Sequence, residues 1–322
     1  VLFRSSISDD NLISFPSLFA TPKMTQIKEV LKRSWKIYWR SPTYNRTRIF
    51  VATLLSLLIG SVFVSNQTPS NESEMNSRVT TVYLSFLIIA VNSLNTVLAF
   101  FEAERNMYYR HKASLMYNTS AISFAFTVAE IPFLIGSCFL YTTIFYFMVG
   151  FAADAGKYFF YYLFMLLCMS CFTYLGHMFV ALSPDAQVAQ GFGGLLVSNT
   201  SLFTGVLIRP ENIPNFWKFL YWLLPGHYIL EGLLITQFNG DETPITASPG
   251  TPFWDALGCD EQLKNSTNTE CVGTADEWII STFDEIFLPE HIPSCIAYLV
   301  GLLLLTRIVT VWALAKLNYR KT

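Results

Sequence analysis

The chain has 322 residues, of which 52% are hydrophobic and only 14% charged, and its mean hydropathy is +0.39. Soluble domains carry roughly 25% charged residues, so this composition argues against a soluble protein and favours lipid as the solvent. The net charge of −2 provides no overall field for nucleic acid. The chain begins at Val1 without an initiator Met or a signal peptide, and we expect it to be a fragment of a longer protein.

Six apolar segments are long enough to cross a bilayer as helices, which takes about 20 residues each. They cover residues 49–65, 80–101, 121–150, 158–182, 187–208 and 292–315. The third is long enough to need a tilt or a kink, and Pro132 in its first half is a cause for a kink. The sequence therefore predicts an all-α integral membrane domain with six transmembrane helices.

Basic residues beside these segments predict the orientation, because cytoplasmic loops are enriched in Lys and Arg. Eight basic residues and one acid lie between Lys23 and Arg48, and the 102–120 loop and the C-terminal tail are also basic. We therefore place all three in the cytoplasm. The predicted organisation is a cytoplasmic N-terminal segment (1–48), five spans (49–208), an extracellular segment (209–291), and a sixth span with a cytoplasmic tail (292–322).

Residues 24–40 form a predicted amphipathic helix at the cytoplasmic interface. Its apolar positions recur at helical spacing, and four basic residues lie on another face. Two interpretations remain open. The helix either anchors the chain in the interface and does nothing more, or it also receives force from a cytoplasmic partner.

The segment between the fifth and sixth spans is predicted to stay outside without a further crossing. Its first part, residues 213–238, is apolar and aromatic but is interrupted by Pro214, Pro225 and Gly226, which predicts a re-entrant segment. A crossing here would also move the basic tail to the outside, against its charge.

The polar remainder of this segment holds Cys259 and Cys271, and an extracellular location permits a disulfide. Cys295 is a competing partner, so three pairings are open, of which we favour Cys259–Cys271. Sequons predict three glycosylation candidates in segments placed outside: Asn66, Asn71 and Asn265.

The chain lacks the sequence patterns of several kinds of catalytic site. It contains no Gly-x-x-x-x-Gly-Lys-Ser/Thr phosphate loop, no His-Glu-x-x-His and no Gly-x-Ser-x-Gly. Its four His residues are scattered, and no cluster predicts a metal. We therefore expect no catalytic site, no metal and no cofactor within this chain.

Polar side chains at membrane depth mark two predicted helix faces. They recur at three- and four-residue steps in the second and fifth spans, and the two faces comprise Asn92, Asn95 and Thr96, and Asn199, Thr200 and Phe203. Such residues either hydrogen-bond between packed helices or line a cavity, and both interpretations remain open. In the third span, Glu130 needs a proton or a partner from another helix, and Arg307 in the sixth span either snorkels or pairs with a carboxylate.

Several stretches resemble the G subfamily of ABC transporters. They are Tyr38-Trp-Arg-Ser-Pro-Thr-Tyr-Asn-Arg-Thr-Arg48, Phe101-Glu-Ala-Glu-Arg105, Tyr108-Tyr-Arg110, Ala129-Glu-Ile-Pro-Phe133, Phe203-Thr-Gly205 and the region from Ile213 to Tyr228. They occur in order over nearly the whole chain. In detail the chain is most similar to the second membrane half of the full-length pleiotropic drug resistance type, although His111 stands where that type has Glu.

The resemblance implies that two membrane halves face each other above nucleotide-binding domains, which hold ATP and Mg²⁺ and belong to the same polypeptide or to another chain. Substrate, a lipid or another hydrophobic or amphipathic compound, would leave through a cavity between the second and fifth spans of both halves, out across the plasma membrane. The resemblance thus implies that the two polar faces line this pathway, that Arg40, Glu104 and Arg105 couple it to the ATPase, and that Glu130 belongs to an intramembrane polar network. The implied partners are the ATPase domain, the second membrane half and membrane lipids.

Two other functions remain open from the sequence. An ion-coupled secondary carrier or channel would work without ATP and would use Glu130 or Arg307 as the ion-linked group. A non-transporting scaffold would use residues 239–290 to bind partners. We see no inverted internal repeats, which would favour the carrier.

Overall fold

The computed structural model describes Phe19 and residues 21–64, 68–260, 271–283 and 288–319. Most of these residues are helical. Five long helices come first along the chain: α1 (Lys23–Arg40), α2 (Pro42–Phe63), α3 (Glu72–Ala113), α4 (Thr119–Val149) and α5 (Ala155–Leu182). Pro42 begins α2 directly after Ser41, because the first turn of a helix needs no backbone donor.

Short polar side chains begin four of the helices. In each case a side-chain oxygen accepts a hydrogen bond from a backbone N–H of the first turn, which would otherwise have no partner. These caps are Asn71 before α3, Asn118 before α4, Asp154 before α5 and Asp185 before α6 (Ala186–Leu202). The sequence thus places the start of each of these helices locally, before any tertiary packing.

The C-terminal third alternates short elements. It contains a 3₁₀ turn (Pro210–Asn212), α7 (Lys218–Leu223), α8 (Pro225–Phe238), α9 (Pro252–Ala256), α10 (Ala275–Phe283), a second 3₁₀ turn (Pro289–His291) and α11 (Ile292–Lys316). Two short strands, β1 (Pro244–Thr246) and β2 (Val272–Thr274), pair antiparallel with Ile245 opposite Gly273. This ladder is an exception to the predicted all-α fold.

Within the described part of the chain, five helical segments are long and apolar enough to cross a membrane: Tyr44–Phe63, Glu72–Ala113, Thr119–Val149, Ala155–Leu182 and Pro289–Lys316. The fifth predicted span differs from its prediction. Its helix, α6, ends at Leu202 after 17 residues, and a rise of about 25 Å falls short of a hydrocarbon core of ~30 Å. Gly205 has a φ of +105°, which a helix does not accommodate, so residues 203–208 bend away. The sixth crossing therefore stays a prediction.

Helix α8 is enclosed by α3, α5, α6 and α11. Every residue of α8 except Tyr228 is buried. A Cβ on Gly232 would lie 2.1 Å from the Phe164 ring of α5, so the two helices approach at a distance that only glycine permits. With 14 residues α8 rises about 21 Å, too little to cross the hydrocarbon core. The backbone is extended at Leu224, which separates α8 from α7, and the re-entrant course of this segment stays a prediction.

The bundle has two distinct ends. We call the end that carries the N terminus of α4 and the C termini of α3, α5 and α11 the basic end, and the end that carries the N terminus of α3 and the β ladder the loop end. At both ends a cation from another helix donates to the last carbonyls of a helix, where the helix dipole favours positive charge. Four such contacts are Arg78 to Gly150 (3.1 Å), Lys157 to Gln237 (3.0 Å), Arg105 to Val180 and Lys112 to Leu314 (2.9 Å).

Candidate coupling and pathway sites

An ion pair lies in the interior of the bundle between Arg48 of α2 and Glu130 of α4. The two side chains are 1% and 0% exposed. The Tyr44 hydroxyl donates to Glu130 Oε1 at 2.8 Å, and Arg48 Nη2 donates to Thr173 Oγ1 of α5 at 2.9 Å. The network therefore joins α2, α4 and α5 through charge-assisted hydrogen bonds, which are stronger than neutral ones.

The structure thus supplies the partner that Glu130 needs at membrane depth. In the sequence, Arg48 serves only as an orientation signal, because nothing local connects it to a residue 82 positions away. The one sequence signal for this pairing is that Arg48 stands directly before the first apolar residue of the 49–65 stretch. A cation at that position either extends its side chain to water or pairs with a carboxylate.

A second polar cluster forms around Arg307 of α11. Its Nη1 donates to Thr127 Oγ1 at 3.1 Å, and its Nη2 lies 2.7 Å from His177 Nδ1. The guanidinium also lies over the Tyr174 ring, 3.9 Å from the centroid, where the cation is attracted to the π face. Arg307 therefore contacts an imidazole, a hydroxyl and an aromatic ring, and it ties α11 to α4 and α5.

Both clusters lie at the same depth. Phe100 stacks on Tyr44 with ring centroids 4.4 Å apart, and Phe101 lies 4.3 Å from the His177 ring. Phe100 and Phe101 are the last apolar residues of the 80–101 stretch, after which Glu102 follows. The two clusters therefore form one polar layer at the boundary between the apolar part of the bundle and its basic end.

Of the three predicted coupling residues, Glu104 is the one that contacts α1. Its carboxylate lies 3.7 Å from Arg33 Nη2 of α1. Arg33 also donates to the Tyr117 hydroxyl at 3.2 Å and lies 3.1 Å from His111 Nδ1. Burial raises the pKa of Tyr117, so its phenol stays protonated at neutral pH. His111, which departs from the family pattern, thus belongs to the cluster that joins α1 to the end of α3.

The other two predicted coupling residues have different surroundings. Arg105 is 2% exposed, and it donates to the carbonyls of Val180 and Ser183 as well as Pro184. It therefore fixes the connection between α5 and α6 to the end of α3. Arg40 is the last residue of α1 and is exposed.

The six predicted pathway residues divide into two groups. Asn95 is exposed, and Asn92, Thr96 and Asn199 are half-buried, whereas Thr200 and Phe203 are buried. Thr200 lies beneath Gly226 of α8, and Phe203 stacks on Trp217 with centroids 6.2 Å apart. The periodicity of the fifth span could not separate these groups, because the neighbour that covers Thr200 comes from the re-entrant segment.

Helices α3 and α6 run side by side in opposite directions. The side chain of Leu94 fills the space that a Cβ on Gly193 would occupy, and the Tyr83 hydroxyl donates to the Ser201 carbonyl at 3.1 Å. The uncovered polar groups of α3, centred on Asn95, lie near the middle of this helix and within the 80–101 stretch.

A second buried carboxylate, Glu231, lies in α8 and has no counterpart among the predicted sites. His291 Nδ1 lies 3.3 Å from its Oε1, and His227 Nε2 lies 3.4 Å from its Oε2. Burial raises the pKa of Glu231, and burial together with His291 lowers the pKa of His227 to about 3. His227 is therefore neutral at pH 7. The sequence signal for Glu231 is that it is the only acid within the apolar run 228–238.

Cys259 and Cys271 form a disulfide, and Cys295 is a free buried thiol. Asn71 caps α3 and accepts from the Glu74 backbone N–H at 3.0 Å. Asn66 and Asn265, the other glycosylation candidates, lie outside the described residues.

The chain is similar to membrane domains of ABC transporters, both in a family model and in individual relatives. A family model described as "ABC-2 type transporter" matches residues 25–238. ABC transporter G family member 42 of Oryza sativa subsp. japonica is 33% identical over 239 residues, which cover 74% of this chain and 16% of that protein. ABC transporter G family member 35 of Arabidopsis thaliana is 32% identical over 239 residues, covering 74% of this chain and 17% of the relative. The chain thus spans about a sixth of the length of these relatives.

Proposed function

This chain belongs to the ABC-2 type transporter family, and from that premise we propose that it forms one membrane half of an ATP-driven exporter. The proposed substrates are lipids or other hydrophobic or amphipathic compounds, moved out across the plasma membrane. We further propose that the chain is the second half of a pleiotropic drug resistance type of transporter. These finer assignments are supported by the motif resemblance alone.

The observation that carries the proposal is the exposure of Asn95 near the middle of a membrane-spanning helix. An amide facing lipid at this depth is costly, and polar residues within spans face a bundle interior or a water-filled cavity. In the described part of the chain no element covers Asn95. A second membrane half facing α3 and α6 would cover it, and the space between the halves would be the pathway.

Helix α3 supports coupling of this pathway to a cytoplasmic ATPase. It is one unbroken helix of 42 residues, so Asn92 and Asn95 belong to the same rigid element as Glu104 and Arg105. Its contact with α1 through Arg33 would pass movement of a partner domain at the basic end to the pathway. The chain has no phosphate loop, so ATP and Mg²⁺ would be held by a nucleotide-binding domain, with which ABC-2 membrane domains normally pair.

The contacts do not favour the ion-coupled carrier. Glu130 is paired with Arg48, and Arg307 is engaged by His177 and Thr127. Without the Glu130 carboxylate, the buried Arg48 guanidinium would lack its counter-ion, which is strongly unfavourable.

The pathway is tested by cysteine accessibility in the full transporter. Asn95→Cys should react with a charged, membrane-impermeant methanethiosulfonate reagent, because a thiol in a water-filled cavity ionises. Leu304→Cys is the matched control, since Leu304 is 61% exposed on α11 and should face lipid. Equal protection of both cysteines would contradict a pathway at α3.

Coupling is tested by ATP-dependent transport in proteoliposomes. Glu104→Ala removes the contact with Arg33 and should lower transport, whereas Asn106→Ala, two residues away on the exposed side of α3, leaves that contact intact. Full transport by Glu104→Ala would remove this residue from the coupling role. The absence of any ATPase that co-purifies with the chain, or that is fused to it, would refute the exporter as a whole.

A further inference from the structure

We propose that the neutral imidazole of His111 positions Arg33 for its contact with Glu104, and that protonation of His111 releases this contact. His111 is thus a positioning residue that acts through Arg33. The contact itself does not depend on the proposed function, whereas its consequence for transport rests on the proposed coupling of α1 and α3 to an ATPase. The contact and its consequence are therefore measured by separate experiments.

The distances around the Arg33 guanidinium show which groups fix its position. Glu104 Oε2 lies 3.7 Å from Nη2, which is longer than a hydrogen bond. Nη2 also contacts the Met107 thioether, a weak acceptor. Nη1, by contrast, lies 3.1 Å from His111 Nδ1 and 3.2 Å from the Tyr117 hydroxyl, both within hydrogen-bonding distance.

The ion pair alone does not hold Arg33 in one rotamer. The Arg33 side chain is 32% exposed, and an ion pair that water reaches contributes little, because it must order a long side chain. The hydrogen bonds to His111 and Tyr117 supply the missing orientation. They direct the guanidinium toward α3, where Glu104 provides the opposite charge.

The donor pattern requires a neutral imidazole at this place. A guanidinium only donates hydrogen bonds, so His111 Nδ1 must accept and its proton must lie on Nε2. The Tyr117 hydroxyl lies 2.8 Å from the same Nδ1, and it can accept from Arg33 while it donates to the imidazole. A proton on Nδ1 would point at the Arg33 N–H group, with the two nitrogens 3.1 Å apart and both groups positive. Protonated His111 would therefore expel the guanidinium.

The turn after α3 holds the acceptor in place through local contacts. The Met116 N–H donates to the His111 carbonyl at 3.1 Å, which folds the chain back toward the helix. The Tyr117 ring then meets the His111 ring edge-on, with centroids 5.7 Å apart. The next N–H, that of Asn118, donates to Gln26 Oε1 of α1 at 2.9 Å. The acceptor for Arg33 is thus part of a turn that is itself tied to α1.

The charged groups around His111 offer no replacement for Arg33. On α3 the imidazole is flanked by Arg110 and Lys112, and Lys112 is directed away to the Leu314 carbonyl of α11. On α1, the groups that line the groove beside Met107 are Glu29, Lys32 and Lys36 in addition to Arg33. Among the described residues, no carboxylate lies within salt-bridge distance of His111. A protonated His111 would therefore gain no counter-ion when it loses Arg33.

The contact is tested by nitrogen NMR on the intact chain labelled with ¹⁵N only at His, of which there are four. His111→Asn identifies the His111 signals by their disappearance. At pH 7.5 we expect Nδ1 to have the chemical shift of an unprotonated nitrogen and Nε2 that of a protonated one. His titrates within the range of pH 5 to 8 that the experiment covers. Arg33→Gln removes a neighbouring cation and should move the His111 titration to higher pH.

Lys28→Gln is the matched control for this titration. It removes an exposed cation of α1 that does not contact His111, and it should leave the titration where it is in the wild type. A proton on Nδ1 at pH 7.5 would overturn the proposal. The same titration in the wild type and in Arg33→Gln would overturn it as well.

The consequence is measured as ATP-dependent transport by the full transporter in proteoliposomes, with the pH on the side of the basic end lowered from 7.5 to 5.5. The wild type should lose transport by the factor that Glu104→Ala shows at pH 7.5. His111→Asn places an amide oxygen where Nδ1 lies and does not titrate, so it should keep its transport at the lower pH. His111→Phe keeps a ring against Tyr117 but removes the acceptor, and it should show the loss at both pH values.

These variants separate positioning from packing and from the proposed function. Full transport by His111→Phe at both pH values would assign His111 to packing alone and overturn the proposal. An equal acid loss in the wild type and His111→Asn would overturn the release on protonation. His291→Asn removes a partly exposed imidazole at the loop end and should retain the acid loss. If no variant and no wild type shows ATP-dependent transport, the proposed exporter fails, while the contact of His111 with Arg33 still stands or falls by the NMR titration.

Discussion

The buried pair of Arg48 and Glu130 allows a sharp prediction of stability. Glu130→Gln keeps the shape of the side chain and an acceptor for the Tyr44 hydroxyl, but it removes the only negative charge within the polar layer. Arg48 is 1% exposed, so its charge would remain buried without a counter-ion. Removal of one partner of a buried ion pair costs about 3–5 kcal/mol, and we expect a loss of this size in the free energy of unfolding.

The double variant Arg48→Met/Glu130→Leu should lose less than the single variant. It removes both charges, and apolar replacement of a buried pair is often neutral. The remaining cost comes from Tyr44, which loses an acceptor, and from Thr173, which loses a donor, at about 1 kcal/mol each. Thr173→Val alone breaks one hydrogen bond to a charged donor and should cost about 1.5–3 kcal/mol.

These free energies are measured by unfolding the purified chain from mixed micelles with increasing mole fractions of dodecyl sulfate, followed by circular dichroism. The decisive quantity is the coupling energy of the double-mutant cycle, which should be large and favourable. If the losses of Glu130→Leu and Arg48→Met, each measured alone, simply add in the double variant, the two charges do not stabilise each other and the polar layer has been misassigned.

Three further predictions concern the re-entrant segment and the loop end. Under denaturing conditions a maleimide should label four cysteines of the chain and six after reduction, while Cys259→Ser should label five with or without reductant; six adducts before reduction would exclude the disulfide. Gly232→Ala should cost about 1–3 kcal/mol, because its methyl group would lie 2.1 Å from a ring of α5. Gly191→Ala, with open space around it, should be neutral or slightly stabilising, and equal melting temperatures for both variants would contradict the packing of α8. Burial raises the pKa of Glu231, so the folded chain keeps a proton that the unfolded chain releases, and the contribution of Glu231 to stability should fall as pH rises from the ordinary value of 4.5. The melting temperature of Glu231→Gln should therefore increase relative to that of the wild type as pH rises above 4.5, and equal slopes for the two proteins would refute the assignment.

The helices that the sequence predicts well are those whose signals are local. Apolar length identifies α3, α4, α5 and α11, and the side chains of Asn71, Asn118 and Asp154 mark where three of them begin. The end of α6 is harder to predict, because residues 203–208 are apolar enough to continue the span. The positive φ of Gly205 is what turns the chain away from the helix axis.

The site residues depended on contacts between distant parts of the chain. Glu130 could be predicted to need a partner, but its choice of Arg48 depends on how α2 packs against α4. Periodicity grouped Thr200 with Asn199, yet Thr200 is covered by α8, whose position no repeat in the fifth span reveals. Single-helix patterns therefore located polar faces and left open which neighbours cover them.

The length of α3 has a mechanical consequence. A helix of 42 residues extends about 63 Å, so its two ends behave as the arms of one lever. A tilt of about 5° around its midpoint would move each end by about 3 Å in opposite directions, which is as large as a hydrogen-bond length. Asn92 and Asn95 lie near that fulcrum, whereas Glu104 and the Asn71 cap lie far out on opposite arms. Small rotations driven at the basic end would therefore reorient the polar face about this fulcrum and displace the loop end as far as the basic end.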